Sequence, residues 1–358
     1  MMLKSSGQRN ANRWGFALSL GSRSGLNYAG AKDERFAVSR TWVGSSGSDS
    51  LQRGAIGEGR DAGVLEGRGN PPTRATARPS ASQPPEDLRL ALERDGLVVL
   101  ETRPFQLTDD DLQLVQRRWS DGRSKNSSYN PRTGAVYGVG EAAQSAQGLG
   151  QLMARYSAWA IDLVETHFPA YAESLELGRT SLRHRSVRDD PPLSLRKDDR
   201  SLHLDAFTSQ PVAGRRILRL FCNIDPSGAD REWAIAVGGF EDFALRFWSK
   251  ARRLYPGEAA VLQGLSLTKC RRTDYDQIML GMHDAAKRDR DYQSNARRRY
   301  VSFPQGTTWL VFTDQTPHAA VSGHCALEQT FYVPVESLAD PASSPLRILE
   351  RLWGARLV

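Results

Sequence analysis

Apolar positions are unpatterned over the first 84 residues and then fall into regular spacings. Glu86–Arg94 places Leu88, Leu90 and Leu92 along a short predicted helix, and Gly96-Leu97-Val98-Val99-Leu100 reads as a strand. A second helix is expected from Thr108, because Asp109, Asp110 and Asp111 suit the positive end of a helix. From Leu149 to about Leu175, Leu152, Tyr156, Ala160 and Leu163 recur at helical spacing. After Pro192 the pattern changes. Residues 193–224 and 308–335 are short apolar or alternating runs divided by Gly, Pro, Asp and Ser, which predicts strands and turns. Between them lie predicted helices at 240–254 and 275–292, the second rich in charge. Helices ahead of a bipartite set of strands predict an α+β fold whose sheet curls into a jelly roll.

Composition separates two regions. Residues 1–84, rich in Gly, Ser, Arg and Pro, carry too little patterned apolar surface to offset the entropy of ordering, and predict a disordered extension. Residues 85–358 are expected to form the single folded domain. The formal charge of +7 is concentrated in the extension, which has 12 basic and 6 acidic residues. The folded part is nearly neutral, so its composition does not point to nucleic acid. No run approaches the roughly 20 apolar residues of a bilayer span, and Met1–Leu20 lacks the apolar core of a secretory signal. A cytoplasmic protein, or one lying against the cytoplasmic face of the inner membrane, is the expectation. Cys222, Cys270 and Cys325 are widely spaced and odd in number, as reduced structural thiols would be.

The chemistry is concentrated in Ser201-Leu202-His203-Leu204-Asp205. On a strand, residues two apart share a face, so His203 and Asp205 would stand side by side. Such a triplet is common by chance. Its weight comes from Trp309-Leu310-Val311-Phe312, a strand core running on to Pro317-His318 with small residues (Ala319, Ala320) behind the histidine. Two histidines and one carboxylate on one face of an octahedron, with the other positions open, are the donor set of non-haem Fe(II) oxygenases. His203, Asp205 and His318 are therefore the candidate metal ligands and catalytic centre. His324 is a weaker competitor for His318. His167 and His283 read as surface or packing residues, and His184 sits among arginines.

An anionic cosubstrate needs a cationic clamp. The strand Gly214–Ile224 places Arg215 and Arg219 on one face, and arginines on a half-buried strand need an anion. Arg219, deeper in the strand, is the first candidate and Arg215 the second; a salt bridge to a protein carboxylate is the alternative use of either.

The runs His203-Leu204-Asp205-Ala206-Phe207, Gly214-Arg215-Arg216-Ile217-Leu218-Arg219, His318-Ala319-Ala320 and Ala326–Tyr332 resemble the bacterial Kdo 3-hydroxylases. Arg196-Lys197-Asp198-Asp199, Lys125-Asn126 and Ser344–Leu352 fit the same family. The resemblance runs from about residue 88 to the C-terminus. It implies a double-stranded β-helix (cupin-like) dioxygenase using Fe(II), 2-oxoglutarate and O2. Its implied substrate is the 3-deoxy-D-manno-octulosonic acid (Kdo) sugar of Kdo-lipid A, hydroxylated at carbon 3. Relatives in the wider superfamily carry a clamp arginine about ten residues beyond the distal histidine; here none follows His318 until Arg347. That departure favours Arg219 or Arg215.

An anionic glycolipid would want cationic pockets, for which Arg196, Lys197, Arg200 and Lys125 are candidates. The amphipathic Leu346–Trp353 run is expected to pack on its own domain rather than on a membrane. The same oxygenase chemistry on a protein or amino-acid side chain, and a metal-binding barrel without turnover, are the alternative functions. Oligomeric state has no signature in the sequence.

Overall fold

The computed structural model describes residues 85–358 except 102–103, 118, 120, 122–123, 141–142 and 192, together with Ala37–Ser39 and Thr73–Arg74. The rest of the expected extension lies outside the described residues.

Among the described residues twelve strands make two sheets. They are β1 (Ala37–Ser39), β2 (Thr73–Arg74), β3 (Leu97–Glu101), β4 (Ser127–Tyr129), β5 (Val136–Tyr137), β6 (Glu176–Arg183), β7 (Arg216–Asn223), β8 (Arg231–Ala236), β9 (Arg298–Phe303), β10 (Thr308–Phe312), β11 (His318–Ser322) and β12 (Ala326–Val333). The larger sheet runs β1-β3-β10-β7-β12-β6-β4-β5 and the smaller β11-β8-β9-β2. All pairings are antiparallel except β2 with β9. The helices are α1 (Pro85–Asp95), α2 (Asp109–Val115), α3 (Ala143–His167), α4 (Pro169–Ala172), α5 (Gly239–Phe247), α6 (Glu258–Gly264), α7 (Asp274–Arg288), α8 (Arg290–Asn295) and α9 (Pro345–Trp353).

Strand alternation builds two apolar layers. Leu97 and Val99 of β3, Phe221 of β7 and Trp309 and Val311 of β10 face Trp233 and Ile235 of β8 and Val301 and Phe303 of β9. The opposite face of the large sheet, with Val98, Leu100, Leu218, Leu220, Leu310 and Phe312, packs with Leu149, Leu152, Met153, Tyr156 and Leu163 of α3. Strand β7 is therefore buried along its whole length. Its two arginines are accordingly each paired with a carboxylate, Arg216 with Asp314 and Arg219 with Glu328. The Tyr156 hydroxyl donates toward the Leu220 and Leu327 carbonyls (3.1 and 3.3 Å), fixing α3 across β7 and β12.

The helix expected over 149–175 ends at His167, because Pro169 lacks the amide that would continue it and instead opens α4. The 240–254 helix closes early at Phe247, followed by one 3₁₀ turn. The 275–292 helix breaks at Asp289, whose carboxylate caps α8 by accepting from the Tyr292 amide. Thr108 forms a reciprocal capping box with Asp111, as the acidic first turn suggested. Thr273 and Asp276 form another on α7. Asp276 also accepts from the Val212 and Ala213 amides (2.7 and 3.1 Å), which fixes the turn that feeds β7.

Candidate metal and cosubstrate site

Residues 201–207 do not form the regular strand expected of them. His203 makes a single bridge to His318, its amide donating to the His318 carbonyl and the reverse (3.1 and 2.9 Å). Two residues on, the Asp205 amide bonds the Thr313 carbonyl instead (2.8 Å). The segment changes partner within three residues, so no ladder develops, yet it stays extended enough to keep His203 and Asp205 together. Their ligand atoms and that of His318, at the start of β11, all lie within 4.8 Å of one another.

The donor chemistry fits a divalent metal. His203 Nδ1 meets the Ser201 carbonyl at 2.7 Å and His318 Nδ1 the Thr316 carbonyl at 2.8 Å. Each Nδ1 must therefore carry the proton, leaving the Nε2 lone pair for a metal. Burial depresses the pKa of both imidazoles, so they are neutral at physiological pH. Burial pushes Asp205 the other way, but the Arg219 guanidinium beside it helps to hold the carboxyl well below the usual carboxylate range, so it is ionised. Trp233 stacks on His318 (centroids 4.9 Å apart) and fixes its ring plane. His283 of α7 packs edge-on against His203 at 5.3 Å and donates from Nδ1 to the Leu204 carbonyl (2.6 Å), leaving its buried Nε2 unpartnered.

Behind the triad runs a chain of alternating charges. Arg219 contacts Asp205 (2.9 Å) and, through its other arm, Glu328. Arg183 donates to Glu328 (2.6 Å) and to Asp199 (3.0 Å), and Lys125 pairs with Asp199. Burial raises the pKa of Glu328 and Asp199, yet their cationic neighbours hold both below the usual carboxylate range. Lys287, buried in α7, donates to the Arg196 and Asp198 carbonyls (3.0 and 2.7 Å) and secures the loop that carries Asp199.

One cation stands apart. Arg231 at the start of β8 is buried, and its Nε and Nη1 have no hydrogen-bond partner among the described residues. Trp233 Nε1, two positions on and hence on the same face, has none either. Burial, then the nearby Arg183, lower the Arg231 pKa to about 10; the guanidinium remains charged at neutral pH. Room for its side chain depends on Gly323 (φ 109°), where an added Cβ would come within 3.0 Å of the Arg231 Cα. Arg231 and Trp233 line a small cavity with His203, Asp205 and His318. Arg183, Asp199, Arg231 and Ala320 also line a second, more open cavity, with Lys125, Arg185 and Arg200 on its walls.

The structure thus brings His203, Asp205 and His318 together and places Arg219 against Asp205, in the protein salt bridges that were its alternative use. Arg215 is elsewhere: it pairs with Glu176 and donates from Nε to the Val212 carbonyl (2.8 Å). Of the four cations expected for substrate, Lys125 and Arg200 line the open cavity, while Arg196 lies apart with Asp284. Sequence reasoning missed Arg231, Trp233, Arg183 and Glu328. Arg231-Glu232-Trp233 opens a strand-like run, and a charge leading into apolar alternation was the available signal.

Two opposed sheets flanked by helices bring together two histidines and a carboxylate that could hold a metal ion, in a protein of mixed helix and antiparallel sheet. Residues 76–356 match the 3-deoxy-D-manno-oct-2-ulosonic acid (Kdo) hydroxylase family, and the chain belongs to it. It is 36% identical to the Kdo hydroxylase KdoO, a non-heme Fe(II) alphaketoglutarate dependent dioxygenase, in its succinate and Fe(III) complex. That match covers 76% of this chain and 91% of KdoO, with a TM-score of 0.72. The alphaketoglutarate and Fe(III) complex matches at 35% identity (TM-score 0.71) and the cobalt(II) complex at 36% (0.73), with the same coverage. No curated protein sequence matches the chain.

Proposed function

We propose that this chain is an Fe(II)- and 2-oxoglutarate-dependent dioxygenase that hydroxylates the Kdo sugar of Kdo-lipid A at carbon 3, on a double-stranded β-helix core. His203, Asp205 and His318 would hold the metal, which supplies oxygen activation when bound. The observation that carries the reading is the set of buried donors beside the triad: Arg231 Nε and Nη1 and Trp233 Nε1. An unpaired buried guanidinium is costly, and a carboxylate would satisfy two of its N–H groups in parallel. Arg231 is therefore the residue proposed to hold the distal carboxylate of 2-oxoglutarate, with Trp233 as a further donor.

Arg219 takes a different role from the one expected of it. Bound to Asp205 and Glu328, it orients the carboxylate ligand and keeps it ionised. The anionic sugar acid would enter through the open cavity, whose walls carry Lys125, Arg183, Arg185, Arg200 and Arg231 against Asp190, Asp198 and Asp199. That excess of positive charge favours a sugar acid over a neutral peptide side chain. No helix among the described residues is long and apolar enough to cross a membrane. Access to a lipid-borne sugar would then be from the cytoplasmic membrane surface.

The test is anaerobic loading with Fe(II) and 2-oxoglutarate, followed by oxygen with Kdo-lipid A or a peptide panel. The expected result is a weak visible charge-transfer band, then succinate release coupled to a gain of one oxygen on the sugar. Succinate coupled only to peptide oxidation would replace the substrate; absence of the band would remove the iron site.

A further inference from the structure

Among the described residues ten large apolar side chains are exposed, and four of them (Tyr255, Val261, Leu265 and Leu267) fall within thirteen positions, at 55–66% exposure. No other stretch of that length holds as many. Helix α6 buries Ala259, while Val261 and Leu265, four apart, share its outward face. The chain then folds back, the Leu267 and Thr268 amides both bonding the Leu262 carbonyl (2.9 and 3.3 Å), which brings Leu267 to the same turn. Scattered single apolar residues need no explanation, but a cluster of this kind marks a surface that meets something.

Charge says what. Residues 250–272 hold six basic side chains (Lys250, Arg252, Arg253, Lys269, Arg271 and Arg272) and one acidic, Glu258. Adding Asp274 and Asp289, which pair with Arg253 and Lys250, still leaves six cations to three anions. Lys269 reaches only the Gln210 side-chain oxygen at 3.4 Å, and Arg271 has no carboxylate partner among the described residues. Lys250, Arg252 and Arg253 are each paired with a carboxylate and Arg272 is buried, which leaves Lys269 and Arg271 as the free cations of the surface among the described residues. Protruding aliphatic and tyrosine side chains flanked by these two cations complement a layer of acyl chains beneath anionic headgroups. The surface is also tied to the site: the Lys269 amide bonds the Ser209 carbonyl (2.9 Å), and Arg272 donates to the Thr208 carbonyl. Those residues directly follow the Asp205–Phe207 segment.

We infer that α6 and the turn after it, residues 255–271, form a docking surface for an anionic lipid bilayer. Val261, Leu265, Leu267 and Tyr255 enter the interface, and Lys269 and Arg271 meet headgroup phosphates. The inference rests on this surface and holds whichever sugar is oxidised.

The full chain is floated with vesicles of phosphatidylcholine alone or mixed with phosphatidylglycerol, alongside a Val261→Ser/Leu265→Ser/Leu267→Ser variant and a Lys269→Glu/Arg271→Glu variant. Wild type is expected on the mixed vesicles, and each variant should lose about tenfold or more of that partition. Wild type should also lose it in high salt. Both variants should keep the wild-type melting temperature, and the basic segment before residue 85 is common to all three proteins. Unchanged partition in both variants would overturn the inference. So would a wild type that ignores the mixed vesicles, or a dimer that the serine variant makes monomeric without any change in vesicle binding.

Discussion

The space between the two sheets is filled in two different ways. Toward one end Phe303 and Trp309 stack at 4.0 Å, Phe221 stacks on Trp309 at 5.1 Å, and Trp233 closes edge-on against both Phe221 and Trp309. Toward the other, Asp205, Arg219, Glu328, Arg183 and Asp199 form a charged chain beside the cavity lined by His203 and His318. Trp233 belongs to both, since its ring also stacks on His318. The contrast separates two uses of a buried polar atom. Trp309 Nε1 lacks a partner too, but it lies within the stack and lines neither cavity. Arg231 and Trp233, by contrast, belong to the residues that line one cavity with His203, Asp205 and His318.

The largest expected effect comes from the triad. His203→Ala should abolish Fe(II) loading and turnover together while leaving a folded protein, as checked by anaerobic metal titration alongside circular dichroism. Retained loading would mean that the three residues do not form the site.

Next comes the aromatic end. Trp309→Ala should cost about 3–5 kcal/mol of stability in urea unfolding, while a protein still folded at low denaturant keeps its metal affinity. Loss of metal affinity at full foldedness would erase the distinction between the two ends. Arg231→Met reverses the pattern. It should weaken 2-oxoglutarate binding by about 2–4 kcal/mol, on the order of a hundredfold, and leave metal loading intact. In the ligand-free protein it should raise the melting temperature, because an unpaired buried charge is removed. Wild type should gain stability on adding metal and 2-oxoglutarate, and the variant should gain much less. A melting temperature that falls in the variant would show that Arg231 has a protein partner after all.

The smallest effect is on pH. Burial lowers the pKa of His184, His203, His283 and His318 in the folded protein. The unfolded chain therefore takes up protons first, near pH 6.5, and stability present above that value is lost as the pH falls through it. Each such histidine costs up to about 1.4 kcal/mol per pH unit over this range. Asp199, Asp205 and Glu328, held low by their cations, add a second loss below about pH 4. Melting curves from pH 7.5 to 4 should show the first decline in metal-free protein; a flat profile between 7 and 5 would contradict neutral buried imidazoles.

The triad was legible in the residues because metal chemistry needs few residue types. His203-x-Asp205 beside a strand, and His318 after another, left a pattern of identity and spacing. The helices were legible as periodicity, with errors at Pro169 and Asp289, where a local stop interrupted a pattern that continued beyond it. The surroundings of the arginines were not. Arg219 stood out as an arginine inside an apolar strand, but its partners Asp205 and Glu328 are 14 and 109 positions away, respectively, and only the β7–β12 register brings Glu328 across from Phe221. Arg231, at a strand start, drew no expectation from the sequence, because it is Gly323, on a different part of the chain, that closes over it.

Sequence by itself determined the main helical segments and the strands from 216 and 308 onward, which residues are candidate metal ligands, and that an arginine inside a buried strand would require an anion. These follow from side-chain chemistry and short-range periodicity, which survive without knowledge of contacts. Tertiary structure decided which arginine is left unpaired, which carboxylates answer the others, and where an apolar turn is left facing water. Each of these depends on which groups meet in space, across separations of up to 145 positions. Whether a charge is satisfied is a property of its surroundings rather than of the residue.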